Sequence, residues 1–199
     1  PATTTLLMTL VGNLEVEQEV GSGYDRDLFK HWSDADGDGC NARYEVLIEE
    51  SLTPVTVASG CKISGGTWVS AFDLVQTSNP SNFDVDHMVP LKEAWDSGAW
   101  AWDANTRQAY ANDLDYGMSL IAVSASSNRS KSDRDPADWL PTNKDYWCEY
   151  ITAWVQVKTR WSLSVDPKEK SKIEEVADDC SGEALDFAPK ASTVTAAPS

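Results

Sequence analysis

Two adjacent residues near the middle of the chain, Asp86 and His87, combine a metal-binding group with a proton acceptor. A carboxylate is a hard oxygen donor that suits Mg²⁺ or Mn²⁺, and a neutral imidazole can take a proton from water near neutral pH. An Asp-His pair alone is also typical of an ordinary surface or core histidine. His31, the other histidine of the chain, stands beside Trp32 and is expected to be structural.

A second polar group follows about forty residues later, with Asn128 and Lys131 at the start of a predicted helix over residues 126–133. Apolar and polar residues alternate up to His87, and a second apolar run covers residues 119–124, which predicts two strands. The amide oxygen of Asn128 is a suitable second ligand for the ion held by Asp86. Together these groups could hydrolyse a phosphodiester, in which a cation stabilises the charge on the phosphate and the leaving oxygen.

This order of strand, Asp-His, second strand and Asn-x-x-Lys resembles the HNH endonucleases, whose ββα-metal site cleaves phosphodiesters. The resemblance covers roughly residues 84–136. It implies that Asp86 and Asn128 bind the catalytic ion, that His87 is the general base, and that Lys131 lies near phosphate or backbone. Further candidates for phosphate contact are Arg129 and Arg134.

More of the chain is similar to secreted bacterial proteins of the same family. The shared motifs are Gly23-Tyr24-Asp25-Arg26, Asp36-Gly37-Asp38-Gly39-Cys40, Asp86-His87-Met88-Val89-Pro90-Leu91 with Glu93-Ala94-Trp95, and Asn128-Arg129-Ser130-Lys131. One departure concerns the middle asparagine of the HNH name, whose position falls near Ser119. In the family, the middle asparagine braces the loop that holds the base. The nearest asparagine in this chain is Asn112.

The loop of residues 34–45 fits the EF-hand pattern for calcium. Carboxylates stand at loop positions one, three and five, a glycine at six and a glutamate at twelve. The predicted Ca²⁺ ligands are Asp34, Asp36, Asp38, Glu45 and the backbone carbonyl of Cys40. The alternative is an acidic loop that only caps a helix. Because loop position eight is Asn41 rather than an apolar residue, we expect a single structural site and not a paired EF-hand.

Four widely spaced cysteines without a C-x-x-C pair predict two disulfides and an oxidising compartment. Three connectivities are possible, and we favour Cys40–Cys61 with Cys148–Cys180 because each pair brackets one segment. Four buried free thiols are the alternative. The chain begins at Pro1 rather than Met and has no charged-then-apolar leader, so we expect a processed mature form or a trimmed chain. The missing Met and the paired cysteines together imply secretion.

The net charge of −16 is unfavourable for a partner made of phosphates, because binding a polyanion relies on basic residues. The charge is unevenly distributed, however. Residues 126–172 contain nine basic and seven acidic residues, whereas the rest of the chain is strongly acidic. This asymmetry favours one local substrate face over a general affinity for nucleic acid.

The remaining pattern predicts an α+β domain over residues 1–183, with a ββα-metal core, additional helices, a small β ribbon and two disulfides. Strand-like residues 55–57 and 67–69 are expected to form the ribbon, and an aromatic stripe over 146–161 predicts a core helix. Residues 184–199, which are rich in Ala, Pro, Ser and Thr, predict a disordered tail. No apolar run is long enough to span a membrane.

These observations favour a secreted, monomeric endonuclease that depends on Mg²⁺ or Mn²⁺ and cuts DNA or RNA with little sequence preference. Nothing in the sequence is typical of a base-reading module such as a zinc finger. A secreted calcium-binding interaction module, in which the Asp-His pair is incidental, is the alternative. The net charge of −16 supports that alternative.

Overall fold

The computed structural model describes residues 2–180, with side chains from Leu7 onward, so the predicted domain end at 183 and the tail at 184–199 lie outside the described residues. The helices are α1 Ala2–Asn13, α2 Ala42–Glu49, α3 Leu91–Asp96, α4 Ala104–Ala111, α5 Ala125–Lys131, α6 Trp147–Arg160 and α7 Pro167–Asp179. The strands are β1 Val55–Ala58, β2 Lys62–Gly65, β3 Trp68–Val69, β4 Gln76–Thr77, β5 Phe83–His87 and β6 Leu120–Ser124. Short 3₁₀ turns, including Arg26–Leu28, connect several of these elements.

The strands of the described region pair as three antiparallel two-stranded sheets, β1–β2, β3–β4 and β5–β6. The predicted pairing of residues 55–57 with 67–69 is wrong, because Val55 lies opposite Gly65 and Trp68 lies opposite Thr77. The cause is local. A tight turn at Gly60 closes β1 onto β2, and a left-handed Gly66, with a φ of 86°, then separates this ribbon from β3.

The pair β5–β6 and helix α5 form the unit that holds the predicted chemistry. Pairing runs from Phe83 opposite Ser124 to His87 opposite Leu120. Alternate residues of β5 pack inward with β6 against α2, because they are apolar, and this places Asp84 and Asp86 on the face that α5 approaches.

Helix α5 follows β6 without a loop. The Ser124 side chain caps its N-terminus and accepts a hydrogen bond from the backbone N–H of Ser127 at 3.3 Å. A capped, immediate start fixes the direction of the helix relative to the strands. The two half-motifs of the sequence therefore lie on neighbouring elements.

The larger core surrounds α6, whose predicted aromatic stripe is buried. The stripe consists of Tyr146, Tyr150, Trp154, Val157 and Trp161. Helices α1 and α7 pack on α6. Lys158 on α6 is fully buried, and its Nζ lies 2.6 Å from Glu93 Oε1 and 3.2 Å from Glu169 Oε1. These ion pairs join α3, α6 and α7. The stripe is core, as its helical spacing predicts.

Both predicted disulfides, Cys40–Cys61 and Cys148–Cys180, are confirmed. The first ties the loop of residues 34–45 to the turn between β1 and β2, and the second ties the start of α6 to the end of α7. Each cross-link restricts the unfolded chain and stabilises the fold by roughly 2–4 kcal/mol. Helices, small antiparallel sheets and two disulfides confirm the α+β class.

Candidate functional site

Strand β5 and helix α5 bring three predicted site residues to one surface cavity of about 220 Å³. Asp86, His87 and Asn128 line this cavity, and so do Arg26 and Asp133. Adjacent residues of a strand point to opposite faces. Because His87 is the last residue of β5, where the strand ends, its side chain reaches the same cavity as that of Asp86.

The buried ring of His87 is held by a backbone carbonyl. Its Nε2 lies 2.9 Å from the carbonyl oxygen of Ala111, the last residue of α4. Since a carbonyl oxygen only accepts hydrogen bonds, Nε2 carries the ring proton and donates it. The lone pair is therefore on Nδ1, and the ring is fixed in the tautomer in which Nδ1 is the basic atom.

The surroundings of His87 keep its ring uncharged. Burial lowers the pKa of His87 to about 3. The positive charges of Arg26 and Lys131 act in the same direction, and the hydrogen bond to Ala111 opposes them. A neutral imidazole is the protonation state that a general base requires before it accepts a proton.

Of the two positions expected for Lys131, near phosphate or near backbone, the structure shows the second, and the lysine does not reach a surface where it could contact a phosphate. Its side chain is fully buried, and its Nζ donates to Asp86 Oδ2 at 2.5 Å and to the carbonyls of His87 and Met88 at 2.9 and 2.8 Å. Lys131 therefore fixes the end of β5 and one oxygen of Asp86, and it does not reach into the cavity. Burial raises the pKa of Asp86 to about 6, although the charge of Lys131 opposes the rise.

Asn128 lies between Asp84 and the cavity. Its Nδ2 donates to Asp84 Oδ2 at 3.0 Å, which leaves the amide oxygen as the atom able to bind a cation. A carboxylate of Asp86 and an amide oxygen of Asn128 on one cavity wall form a hard oxygen donor set. These residues fit Mg²⁺ or Mn²⁺ better than a soft metal.

The predicted phosphate residues Arg129 and Arg134 are both exposed and do not line this cavity. Arg134 turns back onto its own helix, where its guanidinium donates to the carbonyls of Ser130 and Lys131. The cation in the cavity is Arg26, from a 3₁₀ turn about 60 residues before His87. The sequence motif that contains Arg26 was visible, but nothing in the spacing placed it beside His87.

Asn112 follows directly after Ala111 and holds a neighbouring segment in place. Its Oδ1 accepts from the backbone N–H of Ser33 at 2.7 Å, and its Nδ2 donates to the carbonyl of Lys30 at 2.8 Å. It thereby joins the end of α4, which positions His87, to residues 30–33. Asn112 thus holds residues 30–33 beside the helix terminus whose Ala111 carbonyl binds His87.

The acidic loop gathers its predicted calcium ligands in two overlapping groups. Ligand atoms of Asp34, Asp36 and Asp38 lie within 4.8 Å of one another, as do those of Asp38, Cys40 and Glu45. Burial raises the pKa of Glu45, and the charges of Asp38, Asp36 and Asp34 raise it as well. Since Cys40 Sγ is in a disulfide, the backbone carbonyl is the oxygen that this residue could offer to a calcium ion.

Comparison with known proteins finds one family whose matched region contains β5, β6 and α5. Residues 60–176 match the family described as GmrSD restriction endonucleases, C-terminal domain. An uncharacterized secreted protein of Arthroderma benhamiae is 38% identical over 180 residues, which cover 90% of this chain and 87% of the relative. No solved structure matches the chain. The family match includes Asp86, His87 and Asn128 but not Arg26 or the loop of residues 34–45.

The predicted secreted location is confirmed by the relative from Arthroderma benhamiae, which is described as secreted and aligns with most of this chain. The two disulfides agree with an oxidising compartment. In residues 2–180, no helix is long and apolar enough to cross a membrane.

Proposed function

The chain belongs to the family of the C-terminal domain of GmrSD restriction endonucleases, and from this premise we propose that it is an HNH-type endonuclease that depends on a divalent metal ion. It hydrolyses phosphodiester bonds of DNA or RNA outside the cell. His87 is its general base, and Asp86 and Asn128 are its metal ligands. The enzyme works as a monomer.

One observation supports this proposal most strongly. Asp86, His87 and Asn128 come from two elements and meet on one cavity, and the His87 ring has Nδ1 as its basic atom. A core histidine without a function needs no carboxylate and amide beside it. The fixed tautomer and the neutral ring both match what a general base requires.

The residues divide the reaction among them. His87 Nδ1 accepts the proton of the attacking water, and the Ala111 carbonyl holds the resulting imidazolium through Nε2. Asp86 and Asn128 would hold a divalent ion, and such an ion would supply stabilisation of the negative charge on the phosphate and the leaving oxygen. Lys131 keeps Asp86 ionised and in position from the buried side.

Substrate preference follows from what surrounds the cavity. All four cysteines are in disulfides, so the described residues offer no thiolate for a zinc finger. We therefore propose that it cleaves nucleic acid with little sequence preference.

A separate Ca²⁺ ion on Asp34, Asp36, Asp38, the Cys40 carbonyl and Glu45 stabilises the fold.

The proposal is tested by incubating purified protein with supercoiled plasmid and with labelled RNA, in Mg²⁺, in Mn²⁺ and in EDTA. We expect nicking of at least one substrate with a metal ion and none in EDTA. The alternative, a calcium-binding interaction module, gains support if no metal ion produces cleavage by protein that is folded and has both disulfides.

A further inference from the structure

The cavity that holds His87 is completed by a segment that lies outside the family match of residues 60–176. We call residues 26–33 the N-terminal wall. We propose that this wall completes the active site: Arg26 binds a phosphate of the substrate, and Trp32 positions the ring of His87. The inference rests on the proposed nuclease function, but its tests are chosen so that the two can fail separately.

Arg26 is placed as a substrate ligand would be. It lines the same cavity as His87 and Asn128, and its charge acts on the His87 ring. In the described part of the chain, no carboxylate forms an ion pair with Arg26. An exposed guanidinium without an anionic partner, beside a proposed metal ligand, suits a phosphate oxygen.

The backbone around Arg26 is fixed rather than loose. Asp25 caps the 3₁₀ turn, since its Oδ1 accepts from the backbone N–H of Asp27 at 2.9 Å. The N–H of Phe29 bonds to the Arg26 carbonyl at 3.1 Å, and the Phe29 side chain is fully buried. The Arg26 side chain therefore extends from an ordered backbone.

Trp32 contacts the His87 ring directly. The two rings are stacked, with centroids 5.5 Å apart and planes inclined by 23°. Stacking of this kind opposes rotation of the imidazole and covers one of its faces. Trp32 also has a left-handed backbone, with a φ of 59°, which is unfavourable for a bulky residue. A glycine or asparagine would suit this backbone better, so the indole ring must be favoured for what it contacts.

The wall is held against α4 by side chains on both sides of Trp32. Asn112 binds the carbonyl of Lys30 and the N–H of Ser33, and Gln108 Nε2 donates to Ser33 Oγ at 3.0 Å. The same helix ends at Ala111, whose carbonyl binds His87. One helix terminus thus fixes two contacts of the His87 ring, the Ala111 carbonyl and the Trp32 indole.

The role of Arg26 is tested by binding. A fluorescein-labelled oligonucleotide is titrated with the His87→Ala protein, which cannot cleave it, and anisotropy gives the Kd. Arg26→Gln in this background should weaken binding about 10- to 100-fold, the range for a hydrogen bond to a charged group. Lys168→Gln, which removes an exposed charge on α7, is the matched control and should have little effect. An equal effect of both substitutions would show that Arg26 contributes only net charge.

The role of Trp32 is tested by the balance of kcat and KM. Trp32→Gly relieves the backbone strain but also removes packing against the core beside β5, so its fold is checked by circular dichroism. In folded protein it should lower kcat by up to about 10²-fold with KM little changed. Trp32→Phe, which keeps an aromatic face, should recover much of kcat. Trp100→Ala, at an exposed indole, is the control. Wild-type kcat in Trp32→Gly would overturn the positioning role.

A readout independent of cleavage is the imidazole ¹⁵N spectrum of metal-free protein, which is simple because the chain has two histidines. Wild type should show His87 as the Nε2–H tautomer, and Trp32→Gly should show a mixture of tautomers. If wild-type protein does not cleave nucleic acid but Trp32→Gly shows the mixture of tautomers, the nuclease function and the phosphate-binding role of Arg26 are refuted. The positioning of the His87 ring by Trp32 is then retained. If wild-type protein is active and Arg26→Gln and Trp32→Gly behave like it, only the proposed role of the N-terminal wall is refuted.

Discussion

The charge state of His87 is set by burial more than by any single neighbour. Because burial lowers its pKa from the usual 6.5 to about 3, the folded protein keeps this ring neutral well into the acidic range. We predict that metal-free protein shows a neutral His87, protonated at Nε2, at pH 5. A ¹⁵N titration measures this, with His31→Asn to assign the signals. An imidazolium at His87 at pH 5 would contradict the buried geometry.

Lys131 illustrates a buried charge that acts through another residue. Lys131→Met would leave the Asp86 carboxylate and the carbonyls of His87 and Met88 without their donor. Loss of one partner from a buried ion pair costs about 3–5 kcal/mol. We expect a loss of this size in urea unfolding, and a smaller one when Asp86→Asn is also present. Strictly additive losses in this double-mutant cycle would mean that the ion pair contributes little.

The sequence was sufficient to select Asp86, His87 and Asn128, because residue type and order carry their chemistry. It could not show that Lys131 is buried, since Asn-x-x-Lys fits an inward and an outward lysine equally well. It also could not place Arg26 beside His87. That proximity depends on how residues 26–33 cross α4, which is a tertiary contact.

At the scale of elements, the free edge of β6 depends on a buried carboxylate. Glu50, which follows α2, accepts the backbone N–H of Ala122 at 2.8 Å, and burial raises its pKa to about 7. The folded state therefore binds a proton more readily than the unfolded chain, and stability falls as the pH rises from about 4.5 to 7.

Glu50→Gln keeps the hydrogen bond and removes the charge. We predict that its melting temperature exceeds that of wild type at pH 8, and that the difference shrinks as the pH falls to 4.5. Glu49→Gln, on an exposed residue of the same helix, is the control. A difference between Glu50→Gln and wild type that does not vary with pH would refute the buried carboxylate.

The acidic loop predicts a calcium-dependent melting temperature. An ion that binds only the folded state raises the free energy of unfolding by about 2.7 kcal/mol at 100 times its Kd. Each kcal/mol raises the melting temperature of a chain of this size by roughly 2–4 °C. EDTA should lower the melting temperature of wild type, and Asp36→Asn should reduce the response to added Ca²⁺. Asp178→Asn, an exposed carboxylate on α7, should leave the response intact. Identical melting curves with EDTA and with excess Ca²⁺ would rule out the site.

Helices were easier to predict than the small sheets for a physical reason. The stripe over residues 146–161 repeats at helical spacing and is long enough to identify α6 without tertiary information. In contrast, β3 and β4 have two residues each, which is too short for a periodic pattern to identify their partner strands. The sequence placed a ribbon correctly near residue 55 but assigned it the wrong partner strand.

At the scale of the whole molecule, a strongly acidic surface surrounds one small site. The N-terminal wall contributes Arg26 to that site, β5 contributes Asp86 and His87, and α5 contributes Asn128. With a net charge of −16, we expect binding of nucleic acid to rely on this cavity and not on the rest of the surface. Two disulfides hold the outer parts of the chain to the core, which suits a protein that is secreted.

The most direct test is single-turnover cleavage of a labelled DNA duplex by wild type and by His87→Ala, each with Mn²⁺ and each checked for an unchanged circular dichroism spectrum. Loss of a general base costs about 10²–10⁴ in rate, so we predict a drop of this size with metal affinity nearly unchanged. Cleavage by His87→Ala at the wild-type rate would contradict the proposed nuclease site.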